Sequence, residues 1–292
     1  MRIIIFSKNR AAQAELLLRS LKEMVIGWEN FLVTIFYNYD AEIYEQGYAV
    51  LKKIHPEFHY HKEDPARSLN SQLNELITLK EKEFFSFFVD DMVVVRPFSK
   101  KDGQFKLLAQ RSDILALSLR LNKNINYCQP RGWKGHPLKI DQSGVYSLKR
   151  SKFQHFLERN ILSRALRKIG FGVFVPVWGD WSIKMSMDGN VFRFNEFKEY
   201  FKKLPECSYV PALEPLMGRT PMDGDNMIIY PESRIMNIAS NKIGRINMHY
   251  KSAEEDPAFI NNKFLSGGRL SYEHLKNINN RSCHICQELI WK

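Results

Sequence analysis

Cysteine is scarce: the 292 residues contain four, Cys128, Cys207, Cys283 and Cys286. So few in a chain of this length argue against a secreted domain built on disulfides. Cys283 and Cys286 have C-x-x-C spacing, but no second pair completes a structural zinc site. Long apolar runs are missing as well. Nothing approaches the ~18 uninterrupted apolar residues of a membrane-spanning helix. The opening Met1-Arg2-Ile3-Ile4-Ile5-Phe6 is too short for the apolar core of a signal peptide, so no leader is expected. Glycine-rich phosphate loops and the G-x-G-x-x-G dinucleotide pattern are absent, which argues against a P-loop ATPase and a Rossmann dehydrogenase. There are no internal repeats, low-complexity tracts or clean linkers. One compact unit over residues 1–292 is the expectation.

Apolar residues make up 44%, charged residues 26% and aromatics 13%, a globular composition. The formal net charge is +11, which attracts anions: nucleotides, nucleic acid, lipid headgroups or acidic polysaccharide. No helix carries a dense basic stripe at base-reading spacing, and no zinc-finger or RNA-recognition signature occurs, so nucleic acid is not an expected partner. The protein is expected to be cytoplasmic, with a basic face able to rest on the inner surface of a membrane.

The first hundred residues alternate strand and helix. Residues 2–6 read as a buried strand. Ala14, Leu17, Leu18 and Leu21 make one stripe of a helix from Ala11 to Met24. Residues 31–37 read as a second strand, 41–54 as a helix and 57–60 as a short strand. Asp64-Pro65 resembles a helix start. Residues 84–89 (Phe-Phe-Ser-Phe-Phe-Val) suit a central strand covered on both faces. This order implies right-handed crossovers and a mainly parallel sheet. Such sheets bind ligands beyond the C-terminal ends of their strands, here Ser7–Arg10, Asn38–Asp40 and Asp90–Asp91. The second half is less regular. A strand is expected at 114–119, a loop over 121–137, a strand at 139–148, a helix from Ser151 to Leu166, a helix over Trp181–Met187 and a C-terminal helix opened by the capping-box pattern Ser252–Glu255.

Asp90-Asp91 interrupts the apolar runs Phe84–Val89 and Met92–Val95. Two carboxylates there are costly unless solvated or paired with a cation. Neighbouring strand residues point to opposite faces, so either the chain turns or the two do different jobs. One can hold a divalent metal while the other bonds a ribose hydroxyl or braces the loop. Mg2+ or Mn2+ at such a carboxylate neutralises a departing diphosphate.

Ile3-Ile-Ile-Phe-Ser-Lys-Asn-Arg10, followed by the leucine-rich helix, resembles the opening of family 2-like glycosyltransferases of the GT-A fold. Phe88-Val-Asp-Asp-Met92 resembles their D-x-D-type motif, though without the literal Asp-x-Asp. The resemblance implies an α/β, Rossmann-like GT-A architecture: a mainly parallel central sheet with flanking helices and a less regular C-terminal acceptor side. It implies donor binding in residues 1–100, an acceptor side in 101–250 and a helical tail in 251–292. Ser7, Asn9, Arg10 and Asp40 would then hold the nucleotide, with Asp90 beside them and Asp91 on the metal. Asp40 is equally readable as a helix cap. Arg67 is a weaker phosphate candidate.

Val177-Trp-Gly-Asp-Trp181 places an acid between two tryptophans. By the same resemblance Asp180 matches the family's second acidic motif and is the expected general base. It is also readable as a helix cap. Trp178 and Trp181 are candidate sugar-stacking residues. The resemblance also implies a histidine from the C-terminal region as third metal ligand, with His284 favoured and His249 as the alternative. His136 and Arg131 are weaker candidates for phosphate or acceptor. The implied activity is transfer of a sugar from a nucleoside diphosphate sugar, a UDP-sugar by preference, to a hydroxyl of a glycan or lipid-linked acceptor. A single base together with the resemblance implies an inverting displacement, with retention as the open alternative, and surface-polysaccharide synthesis is the natural setting by analogy. The rivals are a nucleotidyltransferase, disfavoured by the glycine-free Ser7–Gln13 loop, a nucleic-acid-binding protein, and a catalytically degenerate relative that only binds.

Overall fold

Three consecutive isoleucines need apolar cover on both sides of the strand that carries them. Ile3, Ile4 and Ile5 are all 0% exposed in the computed structural model, which describes residues 1–128, 133–134, 140–148, 179–241 and 255–292. The described chain runs β1 (Arg2–Lys8), α1 (Ala11–Met24), β2 (Leu32–Asn38), α2 (Glu42–Ile54), β3 (His59–Lys62), α3 (Leu69–Thr78), β4 (Phe84–Val89) and β5 (Met92–Val94). It continues with α4 (Gly103–Gln110), β6 (Ile114–Ser118), β7 (Val145–Ser147), β8 (Asn190–Arg193), α5 (Phe194–Lys202) and α6 (Val210–Arg219). The remaining major elements are β9 (Asn226–Ile229), β10 (Ile235–Ile238), α7 (Pro257–Leu265) and β11 (His284–Ile285).

The fold is α/β, with flanking helices around a large, mostly parallel central sheet of order β7-β9-β6-β8-β4-β1-β2-β3. Pairs β1–β2, β1–β4, β2–β3 and β6–β9 are parallel. β8 enters antiparallel between β4 and β6, and β7 is antiparallel to β9. Side chains alternate across each strand, so the two faces have separate cores. Ile3 and Ile5 pack with Leu17, Leu18 and Leu21 of α1 and Leu51 of α2. Ile4 and Phe6 belong to the other face, with Leu69 and Leu73 of α3 and Phe197 of α5. Phe85 and Phe87 meet the Phe197 ring at centroid distances of 4.3 and 5.6 Å. Burying a phenylalanine is worth about 1.5–3 kcal/mol, so this cluster ties α5 to the sheet. No helix among the described residues is long and apolar enough to cross a membrane.

A smaller sheet, β11-β10-β5, stands at the C-terminal end of β4. Asn237 of β10 is in register with Met92 on one side and His284 on the other. Gly189 lets this layer come close. Its φ is +74°, and an added Cβ would lie 2.0 Å from Ile235 Cδ1 and 3.0 Å from Met92 Cε.

Several local expectations are corrected. α3 starts at Leu69, not at Asp64-Pro65. Ser68 is its cap and accepts from Ser71 N at 3.1 Å. The buried Gln72 amide holds the preceding turn, donating to Asp64 O at 2.9 Å and accepting from Asp64 N at 2.8 Å. The helix expected over Trp181–Met187 is a single 3-10 turn, Gly179–Ser182. Beyond it the backbone is caught by Glu214, which accepts from Met187 N at 3.0 Å. The C-terminal helix opens at Pro257 with Asp256 as its cap, accepting from Ala258 N at 2.9 Å. Strand β7 is shorter than expected because Asp141 turns the chain, accepting from Ser143 N and Val145 N. Inside the expected loop 121–137, Tyr127–Cys128 pairs antiparallel with Trp133–Lys134. The helix expected at 151–166 lies outside the described residues.

Candidate active site

β1, β2 and β4 are parallel neighbours, so their C-terminal ends deliver three loops to one place. Asn9 joins the first two. It adopts φ +58°, a left-handed conformation that asparagine tolerates better than most residues. Its side chain then meets Asp40 twice: Asn9 Nδ2 donates to Asp40 Oδ2 at 3.0 Å, and Asp40 N donates to Asn9 Oδ1 at 3.0 Å. Lys8 Nζ lies 2.8 Å from Asp40 Oδ1, and its hydrogen bond lowers the Asp40 pKa. Asp40 is not a helix cap, since Ala41 occupies that position for α2.

Asp90 is buried where β4 ends. Its Oδ2 accepts from Lys8 N at 3.2 Å and its Oδ1 from Arg10 Nη1 at 3.1 Å. Burial pushes its pKa up to about 6; Arg10 opposes that shift and Asp91 adds to it. Arg10 also reaches Asp91 Oδ2 at 3.4 Å and donates to Asn241 O at 2.5 Å. Burial works against the Arg10 charge, but Asp90 and Asp91 more than offset it, and the pKa of Arg10 is raised. Ser7 Oγ lies 2.7 Å from Tyr48 OH, which also accepts from Arg10 N at 3.4 Å. Desolvation raises the Tyr48 pKa, so its hydroxyl stays protonated. Ser7, Asn9, Arg10, Asp40, Asp90 and Asp91 therefore form one connected group.

Asp91 continues the group into the second half of the chain. Its Oδ1 accepts from Asn237 Nδ2 at 2.9 Å. Asn237 Oδ1 in turn accepts from Arg120 Nη1 at 3.4 Å, and Arg120 Nη2 lies 3.6 Å from Asp180 Oδ1. Asp91 and Asp180 are thus separated by one asparagine and one arginine. Asp180 is 8% exposed, and its Oδ2 has no hydrogen-bond partner among the described residues. Asp188 makes the short contact to Arg120, 2.6 Å from Nη1.

Asp91 is the carboxylate best suited to a divalent metal. Its side chain is 22% exposed, whereas Asp90 is closed in by Arg10 and Lys8 N. No group of three or more metal-binding side chains is present among the described residues. The arrangement fits a Mg2+-like ion that takes one protein carboxylate and completes its shell with substrate phosphates and water. His284 Nε2 lies 3.4 Å from Arg120 Nη1, at the other end of the path that begins at Asp91.

No protein-family model matches the sequence, and no curated protein does. Solved structures similar to it include S. aureus TarS 1-349, at TM-score 0.46 and 11% identity, covering 80% of this chain and 59% of that one. The same TarS segment in complex with UDP-GlcNAc gives TM-score 0.42 at 11% identity, with 80% and 59% covered. The mannosyltransferase PcManGT from Pyrobaculum calidifontis, in complex with GDP-Man and Mn2+, gives TM-score 0.32 at 16% identity, with 46% and 42% covered. The chain thus spans about three fifths of TarS 1-349.

Two of the remaining candidates need correction. Trp181 is 1% exposed, donates from Nε1 to Ile125 O at 2.9 Å and meets Tyr146 edge-on at 5.0 Å. It is a core residue with no face open to a sugar. Arg67 bonds locally, to Ser71 Oγ and Glu75 along α3, and makes no contact with the Asp90 group. Trp178, His249, His136 and Arg131 lie outside the described residues. Sequence reasoning missed Tyr48, Arg120, Asp188, Asn237 and Glu214. A usable signal existed for two of them. Arg120 interrupts Ile114-Leu-Ala-Leu-Ser-Leu-Arg-Leu121, and Asn237 interrupts Ile235-Met-Asn-Ile238, much as the aspartates interrupt their own apolar run.

Proposed function

We propose that the chain is a nucleotide-sugar-dependent glycosyltransferase that moves a sugar from a UDP-sugar to a hydroxyl of a glycan or lipid-linked acceptor. The observation that carries this reading is the continuous contact path from Asp91 to Asp180. It joins a carboxylate suited to the donor with one suited to deprotonating an acceptor. Charge supports a metal. Lys8 and Arg10 face the three carboxylates Asp40, Asp90 and Asp91. A diphosphate brought beside that set needs further positive charge. Mg2+ or Mn2+ held by Asp91 and the donor's phosphates would supply it and neutralise the leaving group.

The protein's own residues do the rest. Asn9 and Asp40 clip the two loops that frame the nucleotide. Arg10 orders Asp90 and Asp91. The unbonded Oδ2 of Asp180 accepts the proton of the acceptor hydroxyl as its oxygen bonds the anomeric carbon. The bond from that carbon to the diphosphate breaks with its electron pair, and the nucleoside diphosphate leaves. One base and direct displacement give inversion. Synthesis of a surface polysaccharide at the cytoplasmic side of a membrane is the setting we favour.

Thermal-shift measurements with UDP, GDP, CDP and ADP, each with Mn2+, Mg2+ or EDTA, test the donor site. A ligand at ~100 times its Kd adds about 2.7 kcal/mol of stability. The expected result is a metal-dependent shift with UDP that Asp91→Ala abolishes while the fold survives. No shift with any nucleotide would overturn the reading. The pairing of Arg10 with both Asp90 and Asp91 favours a second reading, a protein that binds the donor without turning it over. UDP binding without UDP release in the presence of an acceptor panel would select it.

A further inference from the structure

Arg120 is the buried cation between Asp180, Asp188 and Asn237. It follows β6 and is 2% exposed. Its carbonyl accepts from Ser233 Oγ at 2.6 Å, so its backbone is anchored in the small-sheet layer. Its guanidinium meets five side chains. Nη1 donates to Asp188 Oδ2 at 2.6 Å and faces Asn237 Oδ1 and His284 Nε2, each at 3.4 Å. Nη2 reaches Ser186 Oγ at 3.5 Å and stands 3.6 Å from Asp180 Oδ1.

The two aspartates are treated differently. Asp188 takes the short, charge-assisted bond. Asp180 receives the field of the same cation at a separation too long for a hydrogen bond. Asp180 thus keeps a buried oxygen, Oδ2, without a hydrogen-bond partner among the described residues. A lysine, with one point charge and no planar fork, cannot reproduce both relations at once. The guanidinium also orients Asn237. With Oδ1 turned to Arg120, the amide must present Nδ2 to Asp91.

We propose that Arg120 is a positioning residue that holds Asp180 in place for the acceptor, beside its guanidinium but without a hydrogen bond to it. The proposal rests on the sugar-transfer reading. Asp188 engages Nη1, and Nη2 is the nitrogen that faces Asp180.

The test is UDP release from UDP-GlcNAc, UDP-glucose and UDP-galactose over an acceptor panel by the full chain, with UDP affinity and melting temperature measured for each variant. Asp180→Asn is expected to lower kcat by about 10²–10⁴ with UDP affinity retained. Arg120→Met is expected to lower kcat by at least tenfold. Because Arg120 acts through Asp180, the double variant should be no slower than Asp180→Asn by more than about twofold. A residue that only supports the fold would instead give losses that multiply. Should Arg120→Met not fold, the cycle is run with Arg120→Lys, which keeps the charge and is expected to retain folding and UDP binding with reduced kcat. Multiplying losses, or wild-type kcat in Arg120→Lys, would overturn Arg120's role alone. Wild-type protein that releases no UDP from any donor would overturn the transfer reading and this proposal together.

Discussion

Replacing Asp90 by asparagine tests the electrostatics of the site without any substrate. In the folded protein the Asp90 carboxyl is 5% exposed and titrates at about 6, against 3.8 for the unperturbed group. The difference is about 2 units, and at roughly 1.4 kcal/mol per unit it corresponds to about 3 kcal/mol. The folded state holds this proton more tightly than the unfolded chain does. The resulting stability is fully present below the unfolded value near 4 and is lost as pH rises through about 6. Asparagine has no such proton. Whatever Asp90→Asn costs through its weaker bond to Arg10 is the same at every pH in this window. Part of that effect is already spent at pH 4, so the stability of Asp90→Asn relative to wild type should rise by about 2–2.5 kcal/mol between pH 4 and pH 7. Urea unfolding in EDTA at pH 4, 5, 6 and 7 measures the difference directly. A difference independent of pH would refute the claim that burial dominates at Asp90. A trend of opposite sign would mean that the Arg10 ion pair outweighs desolvation.

Three further outcomes are expected. Gly47→Ala should lower stability by about 1–3 kcal/mol, because its Cβ would lie 2.2 Å from Asn261 Oδ1 and 3.1 Å from Ala11 Cβ; urea unfolding checks it, and Asn261→Ala should rescue much of the loss. Arg67→Ala should leave UDP affinity unchanged by calorimetry and alter stability by no more than about 0.5 kcal/mol, since its ion pair with Glu75 is exposed. Peripheral membrane contact is proposed through exposed Phe259 and Ile290, with Lys263 beside Phe259 and Trp291; Phe259→Ser/Ile290→Ser should reduce co-sedimentation with phosphatidylserine vesicles, and equal sedimentation of both proteins would remove this surface from consideration.

The first hundred residues were legible because their signals are local. An isoleucine run buried on two faces, a leucine stripe at helical spacing and an apolar strand ended by two aspartates fix β1, α1 and β4 to within a residue or two. The errors in this half came where a side chain outside the local pattern decided the outcome. Gln72 holds residues 64–68 in a turn, so Asp64-Pro65 does not open a helix. In the second half such decisions are the rule. β8 is only four residues long, and its place between β4 and β6 depends on pairing with strands 105 and 72 residues earlier in sequence, as Val191↔Ser86 and Asn190↔Ser118 show. No period within a short window carries that information.

The site divides along the same line. Asp90 and Asp91 announce themselves because charge within an apolar run is expensive and demands a partner. Arg120 and Asn237 obey the same rule, and the sequence displays them as plainly. What it does not display is that these partners belong to one another. Asp91, Asn237, Arg120 and Asp180 meet only after β5 pairs with β10 and β8 inserts beside β4. Each polar residue that interrupts an apolar strand is half of an interaction whose other half is set by sheet topology. Trp181 shows the converse. It resembled a binding residue because it flanks an acid, yet its indole N–H found a carbonyl at Ile125 and its ring joined the core. Composition of a short motif therefore weighs less than the question of where a buried polar group must find its partner. Applied to Arg120, that question leads from Asp91 to Asp180 in three contacts.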